Sequence, residues 1–410
     1  MKITSPHIVQ FLAVFVLFLG AVPAQAQPVP LVPDPSPELT LFPAAAKAGP
    51  PSWAHPGTRL VYFSASASIR NAGQALVLDD KGNWVISGTG QKWNEQDVAS
   101  ASGAGYIVYQ IGFIDHDVAQ VGNSLYGQDS TDGSVQFIGG SGMVTNAGCA
   151  SDLWVHPDVL KNVKEIAQGD VRITRMPYTV NKKKYNALRI QSTTANGYTA
   201  SVYDLDTGIM IFHGSSASGS VGIGGGVTQL TTGWLLEVKD VDIPWKAAAV
   251  PAWVGKFKEL DYQGAYSTVV AIGTGGRLDR PVTVVTTPKA RRDGWLRTSS
   301  TFTIQGFQGM PPDVSQSEGS SGPACGGQWI GPEAIPKLKA RQIIDQNDIT
   351  KTVVSVSDVN PRSVTITEVG QHHRIDSTYD AASGILTGVQ TTTTTGLSQT
   401  TYRVQLVGQK

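Results

Sequence analysis

Hydrophobic and polar residues alternate with a period of two through much of this sequence. The alternation covers seven stretches that predict β-strands: residues 105–113, 170–174, 185–191, 197–203, 233–241, 363–369 and 401–407. Turn-forming residues separate such stretches at the spacing of about 8–12 residues that is typical of all-β domains. The pattern therefore predicts mostly antiparallel β structure.

Two pairs of segments predict hairpin turns. Residues 204–208 and 380–384 each begin with Asp and end with Gly. Asp starts a tight turn through its side-chain oxygen, and Gly accepts positive φ without strain. Residues 181–184 and 358–361 predict the tips of a second pair of hairpins.

The sequence contains an internal repeat. Pro-Ser-Trp at 51–53 recurs 200 positions later as Pro-Ala-Trp at 251–253, and Leu-Val-Tyr at 60–62 recurs as Leu-Asp-Tyr at 260–262. A repeat of this length indicates that one structural unit is present twice. We predict two homologous β-rich repeats, at residues 51–243 and 250–410.

The cysteines support the repeat. Cys149 precedes Tyr203 by 54 positions, and Cys325 precedes Tyr379 by the same 54 positions. The first repeat has about 24 more residues than the second between its Tyr62 landmark and its cysteine. We place that insertion within about residues 79–142, and we expect insertions in repeats to lie in loops.

Each repeat is predicted to contain one short helix. Pro157 suits a first helical turn, and Leu160, Val163 and Ala167 then fall on one face. In the second repeat Pro332 matches Pro157, but Pro336 would break a helix that begins there, so that helix is predicted to be shorter or shifted. The predicted fold class is mainly β, with two antiparallel β-rich repeats and one short helix in each.

The amino-terminal residues predict export. Lys2 precedes a nearly uncharged apolar run at 8–22, and Ala24-Gln25-Ala26 offers small residues before a cleavage point. The alternative is a membrane anchor, but fifteen residues are short for the roughly 20 that a spanning helix needs. We predict a signal peptide at 1–26 and a secreted or periplasmic bacterial protein with no transmembrane segment after cleavage.

A proline-rich leader is predicted at residues 27–50. Each proline fixes φ and removes an amide donor, so we expect an extended, semi-rigid segment rather than a strand or a helix interior. A plain spacer is favoured over a ligand for proline-binding domains.

Composition narrows the function classes. The 32 basic residues balance the 32 acidic ones, whereas a nucleic-acid-binding domain is usually strongly basic. Nucleic acid is therefore not an expected partner. The two cysteines exclude a Cys-rich metal cluster, and the sequence lacks the His-Glu-x-x-His and Gly-x-Ser-x-Gly motifs. We predict no metal and no cofactor.

The two cysteines occupy equivalent repeat positions. In an oxidising compartment they would commonly pair, and a pseudo-twofold axis would bring Cys149 and Cys325 together as a disulfide. The alternative is two separately buried thiols, one beside Trp154 and one beside Trp329. Because both repeats retain their tryptophans, we predict core packing for these aromatics rather than surface stacking on a ligand.

Asp115-His116-Asp117 is the densest cluster of titratable residues and the weak candidate for a catalytic site. In a strand, the two carboxylates would share one face and could serve acid–base chemistry. A turn at the end of a strand is the favoured interpretation. The ligand-binding residues are unknown from the sequence.

The pattern Tyr-Asp-x-x-x-Gly followed by an apolar residue, at 203–209 and 379–385, is similar to hairpins in curved-sheet bacterial lipid carriers. The resemblance covers a handful of residues and transfers no function. Three hypotheses follow. The first is an exported non-enzymatic binding or envelope-associated protein of unknown ligand. The second is a carrier of apolar ligands or lipids, and the third is a secreted hydrolase with its site in the first repeat.

Overall fold

The computed structural model describes residues 40–71, 76–92, 98–150, 153–194, 197–220, 226–270, 276–306 and 310–410. The predicted signal peptide and the leader up to residue 39 lie outside these residues. Of the described residues, 64% are in strands and 6% in helices, and the large sheets are antiparallel. The predicted fold class is confirmed.

The strands of the first half surround the amino-terminal strand β1. In chain order they are β1 (Thr58–Asn71), β2 (Leu76–Leu78), β3 (Trp84–Ile86), β4 (Val98–Ile114), β5 (Val118–Gln128), β6 (Val135–Asn146), β7 (Cys149–Ala150), β8 (Trp154–Val155), β9 (Ile166–Gln168), β10 (Val171–Val180), β11 (Lys183–Thr194), β12 (Gly197–Asp204), β13 (Met210–Ser220) and β14 (Gly226–Asp240). Twelve of them form the first sheet, in the order β8-β7-β6-β5-β4-β1-β14-β13-β12-β11-β10-β9. Strands β2 and β3 form a separate two-stranded sheet.

The second half repeats this plan around strand β15. Its strands are β15 (Leu260–Val270), β16 (Gly276–Arg292), β17 (Trp295–Ile304), β18 (Asp313–Ser321), β19 (Ile343–Asn347), β20 (Thr352–Val359), β21 (Ser363–Val369), β22 (His373–Asp380), β23 (Leu386–Thr395) and β24 (Ser398–Gln409). They form a ten-stranded sheet in the order β18-β17-β16-β15-β24-β23-β22-β21-β20-β19. In both halves the first strand of the repeat pairs with the last, β1 with β14 and β15 with β24.

The seven predicted strand segments all coincide with observed strands. Residues 105–113 lie in β4, residues 233–241 fall almost entirely in β14, and residues 363–369 form β21. The turns at 204–208 and 380–384 are also as predicted. Gly208 and Gly384 both have positive φ, and an added Cβ would approach a backbone carbonyl to 2.0 Å and 2.1 Å, respectively. Only glycine fits at these two positions.

Equivalent hydrogen bonds and register shifts occur in the two halves. Trp53 Nε1 donates to the carbonyl of Thr207 at 2.7 Å, and Trp253 Nε1 donates to that of Ser383 at 2.9 Å. The pairing register shifts at the same place in both, between Val61 and Tyr62 and between 261 and 262. These contacts support two similar halves.

Trp154 and Trp329 are core residues, as predicted, and the matched Tyr62 and Tyr262 are buried as well. Tyr62 OH donates to the carbonyl of Met210 at 2.8 Å, and Tyr262 OH donates to that of Leu386 at 3.1 Å. Trp154 and Trp329 are 0% and 1% exposed. Each therefore packs within its own sheet's core and is not available to stack on a ligand.

The first half has an added hairpin, β2–β3. It lies in the connection 72–97 between β1 and β4, where the second half has only residues 271–275 between β15 and β16. The added hairpin therefore begins at residue 76, a few residues before the predicted range of about 79–142. Leu76 and Leu78 are buried, and Trp84 Nε1 donates to Thr232 Oγ1 at 3.2 Å. The hairpin covers one face of the first sheet.

The predicted helices are shorter than their sequence patterns suggested. Helix α1 (Pro157–Asn162) begins at Pro157 but ends before Val163, and Ala167 lies in β9 instead. The second half has a 3-10 helix at Ile335–Lys337, where Pro336 prevents a longer helix. Part of the leader also differs from the prediction, since Pro43–Lys47 forms a 3-10 helix whose Ala45 is buried.

The two sheets pack against each other through β5 and β6 of the first and β17 and β18 of the second. Val118 and Val144 form a small buried cluster with Trp295. Gln120 Nε2 donates to Ser320 Oγ at 2.8 Å across the same interface. This packing leaves a cavity between the halves.

Candidate functional site

A cavity of about 370 Å³ lies between the two sheets. Hydroxyl and amide side chains form much of its wall. They include Asn123, Ser124 and Ser141 from the first sheet and Ser300, Ser317 and Gln328 from the second half. The wall includes consecutive strand residues at 122–124 and at 317–321. The cavity therefore presents hydrogen-bond donors and acceptors rather than an apolar surface.

Arg59 is part of the cavity wall. Its side chain is only 3% exposed, and its guanidinium contacts carboxylates from both halves. Nη2 lies 2.6 Å from Glu237 Oε1, and Nη1 is hydrogen-bonded to Asp345 Oδ2. Lys239 Nζ is 3.5 Å from Asp345 Oδ1. Because two carboxylates already satisfy it, Arg59 serves as a bridge between the sheets rather than as an anion site.

A second polar cluster lies at Glu368. Its Oε1 accepts a 2.8 Å hydrogen bond from Tyr126 OH, and His373 Nε2 lies 3.0 Å from the same oxygen. The rings of Tyr126 and Phe137 pack on the His373 ring, with centroids 5.8 Å and 5.4 Å away. The His373 side chain is fully buried.

Tyr126 keeps its proton at ordinary pH. Burial of the hydroxyl, together with the neighbouring Glu368 carboxylate, raises the pKa of Tyr126 far above its usual range. The phenol can therefore donate a hydrogen bond but cannot act as a base or a nucleophile. This cluster fixes β5 of the first sheet to β21 and β22 of the second.

Cys325 lies in the cavity wall as a protonated thiol. Its Sγ is 3.2 Å from the carbonyl oxygen of Gln110, and burial raises its pKa to about 11. The thiolate, which is the reactive form of cysteine, is therefore scarce at neutral pH.

The structure does not show the predicted disulfide. Cys149 and Cys325 are both free, and they are not near each other. Cys149 belongs to the buried core of the first half. Cys325 instead packs against the first sheet at Gly112 and Gly122. The sheets associate in a way that does not bring these equivalent positions together.

The weak catalytic candidates lie on a surface turn. Asp115, His116 and Asp117 connect β4 to β5, and all three are exposed. The Asp115 carboxylate accepts the backbone N–H of His116 at 2.7 Å, and Asp117 Oδ2 is 3.2 Å from Arg292 Nη1. The two carboxylates therefore do not share a strand face as an acid–base pair would need.

Metal-binding geometry is not found within the described ranges. No group of three His, Cys, Asp or Glu side chains there is close enough to hold an ion. The same part of the chain has no helix with the length and apolarity to cross a membrane.

Of the cavity residues, sequence reasoning singled out Cys325 but not the pairs that meet across the cavity. Arg59 faces Asp345, and Tyr126 faces Glu368, although each pair is more than two hundred positions apart. Comparison of the repeats offered one signal. The position 200 residues after Arg59 is Glu259, of opposite charge. A charge that differs between otherwise matched repeats marked a place where the halves have different contacts.

Comparison with protein-family models and with curated proteins finds no match for this chain. The chemistry of the cavity is therefore the guide to function. Its arginine is paired, its thiol and phenol are protonated, and its remaining wall carries hydroxyls and amides. Such an arrangement can bind a polar molecule without supplying an activated nucleophile.

Proposed function

We propose that this protein is an exported, non-enzymatic binding or envelope-associated protein, and that the cavity between its sheets receives the ligand. The observation that carries the proposal is the polar cavity wall, whose reactive groups are all paired or protonated. A volume of about 370 Å³ suits a small molecule.

The wall favours a neutral or cationic ligand rich in hydroxyl groups. Its acidic residues are Glu318, Asp345 and Glu368, and its basic residue is Arg59. Glu318 pairs with Arg297, and Asp345 pairs with Arg59 and Lys239, so the Glu368 carboxylate is the charge in the wall that opposes an anion. Serine hydroxyls can both donate and accept hydrogen bonds, which matches a polyol or a sugar of one or two rings.

The carrier hypothesis has less support. An apolar ligand needs an open apolar pocket, but the apolar face of the first sheet is filled by Leu76, Leu78 and Trp84. The hydrolase hypothesis has less support because Asp117 is held by Arg292 on the surface.

Binding is tested by calorimetry with neutral mono- and disaccharides, an amino sugar and a sugar acid. We expect one neutral or amino sugar to bind and the sugar acid to fail. Ser317→Trp fills the cavity and should abolish binding. Thr179→Trp, at an exposed strand position that is not part of the cavity wall, is the control. Binding that persists unchanged in Ser317→Trp would place the ligand elsewhere.

Export rests on the predicted signal peptide. Expression of the full chain followed by cell fractionation should give a processed protein whose first residue is Gln27. An unprocessed amino terminus in the cytoplasm would contradict the proposal.

A further inference from the structure

Two equivalent places, one on each sheet, differ in which described residues pack on them. In the first sheet Ser192 pairs with Thr199, and in the second sheet Glu368 pairs with Ile375. Likewise Gly197 pairs with Ala217, and His373 pairs with Thr393. In each case the residue of the second sheet lies 176 positions after its counterpart in the first sheet. Ser192 and Gly197 are therefore the counterparts of Glu368 and His373.

In the second half, this position is occupied by aromatic side chains of the first half. Tyr126 and Phe137 pair directly with each other on the β5–β6 hairpin. Both rings pack on His373, and the Tyr126 hydroxyl bonds to Glu368. The surface on β21 and β22 is thus a receptor for the aromatic residues of a β-hairpin.

In the first half, the equivalent position is an open groove of about 420 Å³. Six of the residues that line it are Ser192, Thr194, Gly197, Thr199, Ala217 and Thr231. A glycine replaces the His373 ring and a serine replaces Glu368, so both substitutions enlarge the space. The groove is neutral, since none of its lining residues is charged.

The second half does not make the reciprocal contact, in which its own hairpin would pack aromatic side chains on the first sheet. Strand pairing outward from β1 and from β15 matches Asn123 of β5 with Ser300 of β17, an offset of 177 in these strands. The counterpart of Tyr126 is therefore Thr303, and its cross-strand partner Val314 is the counterpart of Phe137. Neither is aromatic, and Val314 is 49% exposed. Among the described residues, the groove therefore lacks the occupant that the symmetry of the repeat would supply.

We propose that this groove docks a β-hairpin of another polypeptide that carries two neighbouring aromatic side chains. The strands beneath it have the same register as the receptor surface of the second half, and the groove is large enough for two rings. Its hydroxyls can accept a hydrogen bond from a tyrosine where Glu368 does so in the second half. Aromatic residues are favoured anchors in such interfaces because they bury large areas with few rotatable bonds. This proposal does not depend on the ligand of the inter-sheet cavity.

The test uses the protein's own hairpin as the probe. A cyclised peptide with the sequence of residues 122–140 carries Tyr126 and Phe137 in their native pairing. We expect saturable binding to the full-length protein by fluorescence anisotropy. Replacing both aromatic residues of the peptide with Ala should weaken binding by at least about tenfold, the typical effect of losing an aromatic anchor.

Protein variants locate the site. Ala217→Trp fills the groove at an exposed position and should weaken binding by at least about tenfold. Thr179→Trp, also at an exposed strand position but away from the groove, is the control and should bind as the wild type does. If Ala217→Trp does not fold, as judged by circular dichroism, Ala217→Leu replaces it.

The proposal is overturned by any of three results. The cyclised hairpin does not bind at millimolar concentration, the double-alanine peptide binds equally well, or the groove-filling variant binds as tightly as Thr179→Trp.

Discussion

Strands β11–β13 of the first sheet and β21–β23 of the second share one register and bury the same core face, but they differ on the opposite face. On the face beneath β2–β3, the first sheet carries Arg189, Tyr198 and Phe212, all buried. The residues 176 positions later are Thr365, Arg374 and Gly388, none of which is buried. We call these two surfaces the covered face and the uncovered face.

The difference shows how a sheet acquires a second buried face. The inserted hairpin supplies a cover, and the residues beneath it are large and mostly apolar. Arg189 and Ser216 are polar exceptions. Arg189 donates to the carbonyls of Leu78 and Asp79 and to Tyr198 OH, and Ser216 Oγ donates to the carbonyl of Leu76. Without the hairpin, polar residues occupy the uncovered face, where Arg374 pairs with Asp376 at 2.8 Å. The half that has the inserted hairpin therefore also has the more apolar face beneath it.

We expect the largest losses of stability from substitutions of the equivalent buried tryptophans in the two cores. Trp154→Ala and Trp329→Ala should each lower the free energy of unfolding by about 3–5 kcal/mol, because each removes a fully buried indole. Urea denaturation measures both losses. Trp154→Phe and Trp329→Phe, which leave smaller cavities, are the controls. A difference of more than about 2 kcal/mol between the two alanine variants would contradict an equivalent framework.

The covered face predicts the next effect. Arg189→Ala should cost about 3 kcal/mol, because the carbonyls of Leu78 and Asp79 lose a charged donor inside the core. Thr365→Ala at the uncovered counterpart should cost less than about 1 kcal/mol, since it loses one partly buried hydroxyl contact. Urea denaturation of both variants tests the comparison, and equal costs would refute it.

The contact between halves predicts a smaller effect. Tyr126→Phe removes the hydrogen bond to Glu368 and should cost about 2 kcal/mol, the usual contribution of a bond to a charged group. Thr303→Val changes the second-half counterpart of Tyr126 and should cost less than about 0.5 kcal/mol. Thermal unfolding at neutral pH distinguishes the two, and a neutral Tyr126→Phe would show that the contact does not stabilise the association.

Alkaline pH tests buried tyrosines in both halves. Burial raises the pKa of Tyr178 on the covered face and raises that of Tyr379 in the second core to about 12. The unfolded chain releases these protons near pH 10, before the folded protein does, so stability is full below pH 10 and falls above it. Each tyrosine contributes at most about 1.4 kcal/mol per pH unit. Tyr178→Phe and Tyr379→Phe should each reduce the slope of stability between pH 10 and 12, and an unchanged slope would contradict the prediction.

The surface ion pair predicts the smallest effect. Asp117→Asn removes the contact with Arg292 between two half-exposed side chains, and it should cost less than about 0.5 kcal/mol. The small loss should shrink further in 1 M salt, because salt screens exposed charges. A salt-independent loss above about 1 kcal/mol would give the 115–117 turn a larger structural role than its exposure indicates.

The sequence by itself determined the local structure and the repetition. Period-two alternation located strands such as β21, and the Asp and Gly of 204–208 located a turn, because both signals depend on residues close together in the chain. Matched spacings revealed the two related halves before any strand pairing was known. Boundaries were less accurate, since α1 stops at Asn162, short of the predicted apolar face.

Only the tertiary structure decided what covers each sheet and which residues meet between them. Arg59 reaches Asp345 across 286 positions, and Tyr126 reaches Glu368 across 242 positions. The separation of Cys149 and Cys325 has the same origin, because equivalent residues meet only if the packing of the sheets brings them to a common axis. Local patterns contain no information about that packing. It depends on how whole faces, with or without a cover, exclude water against each other.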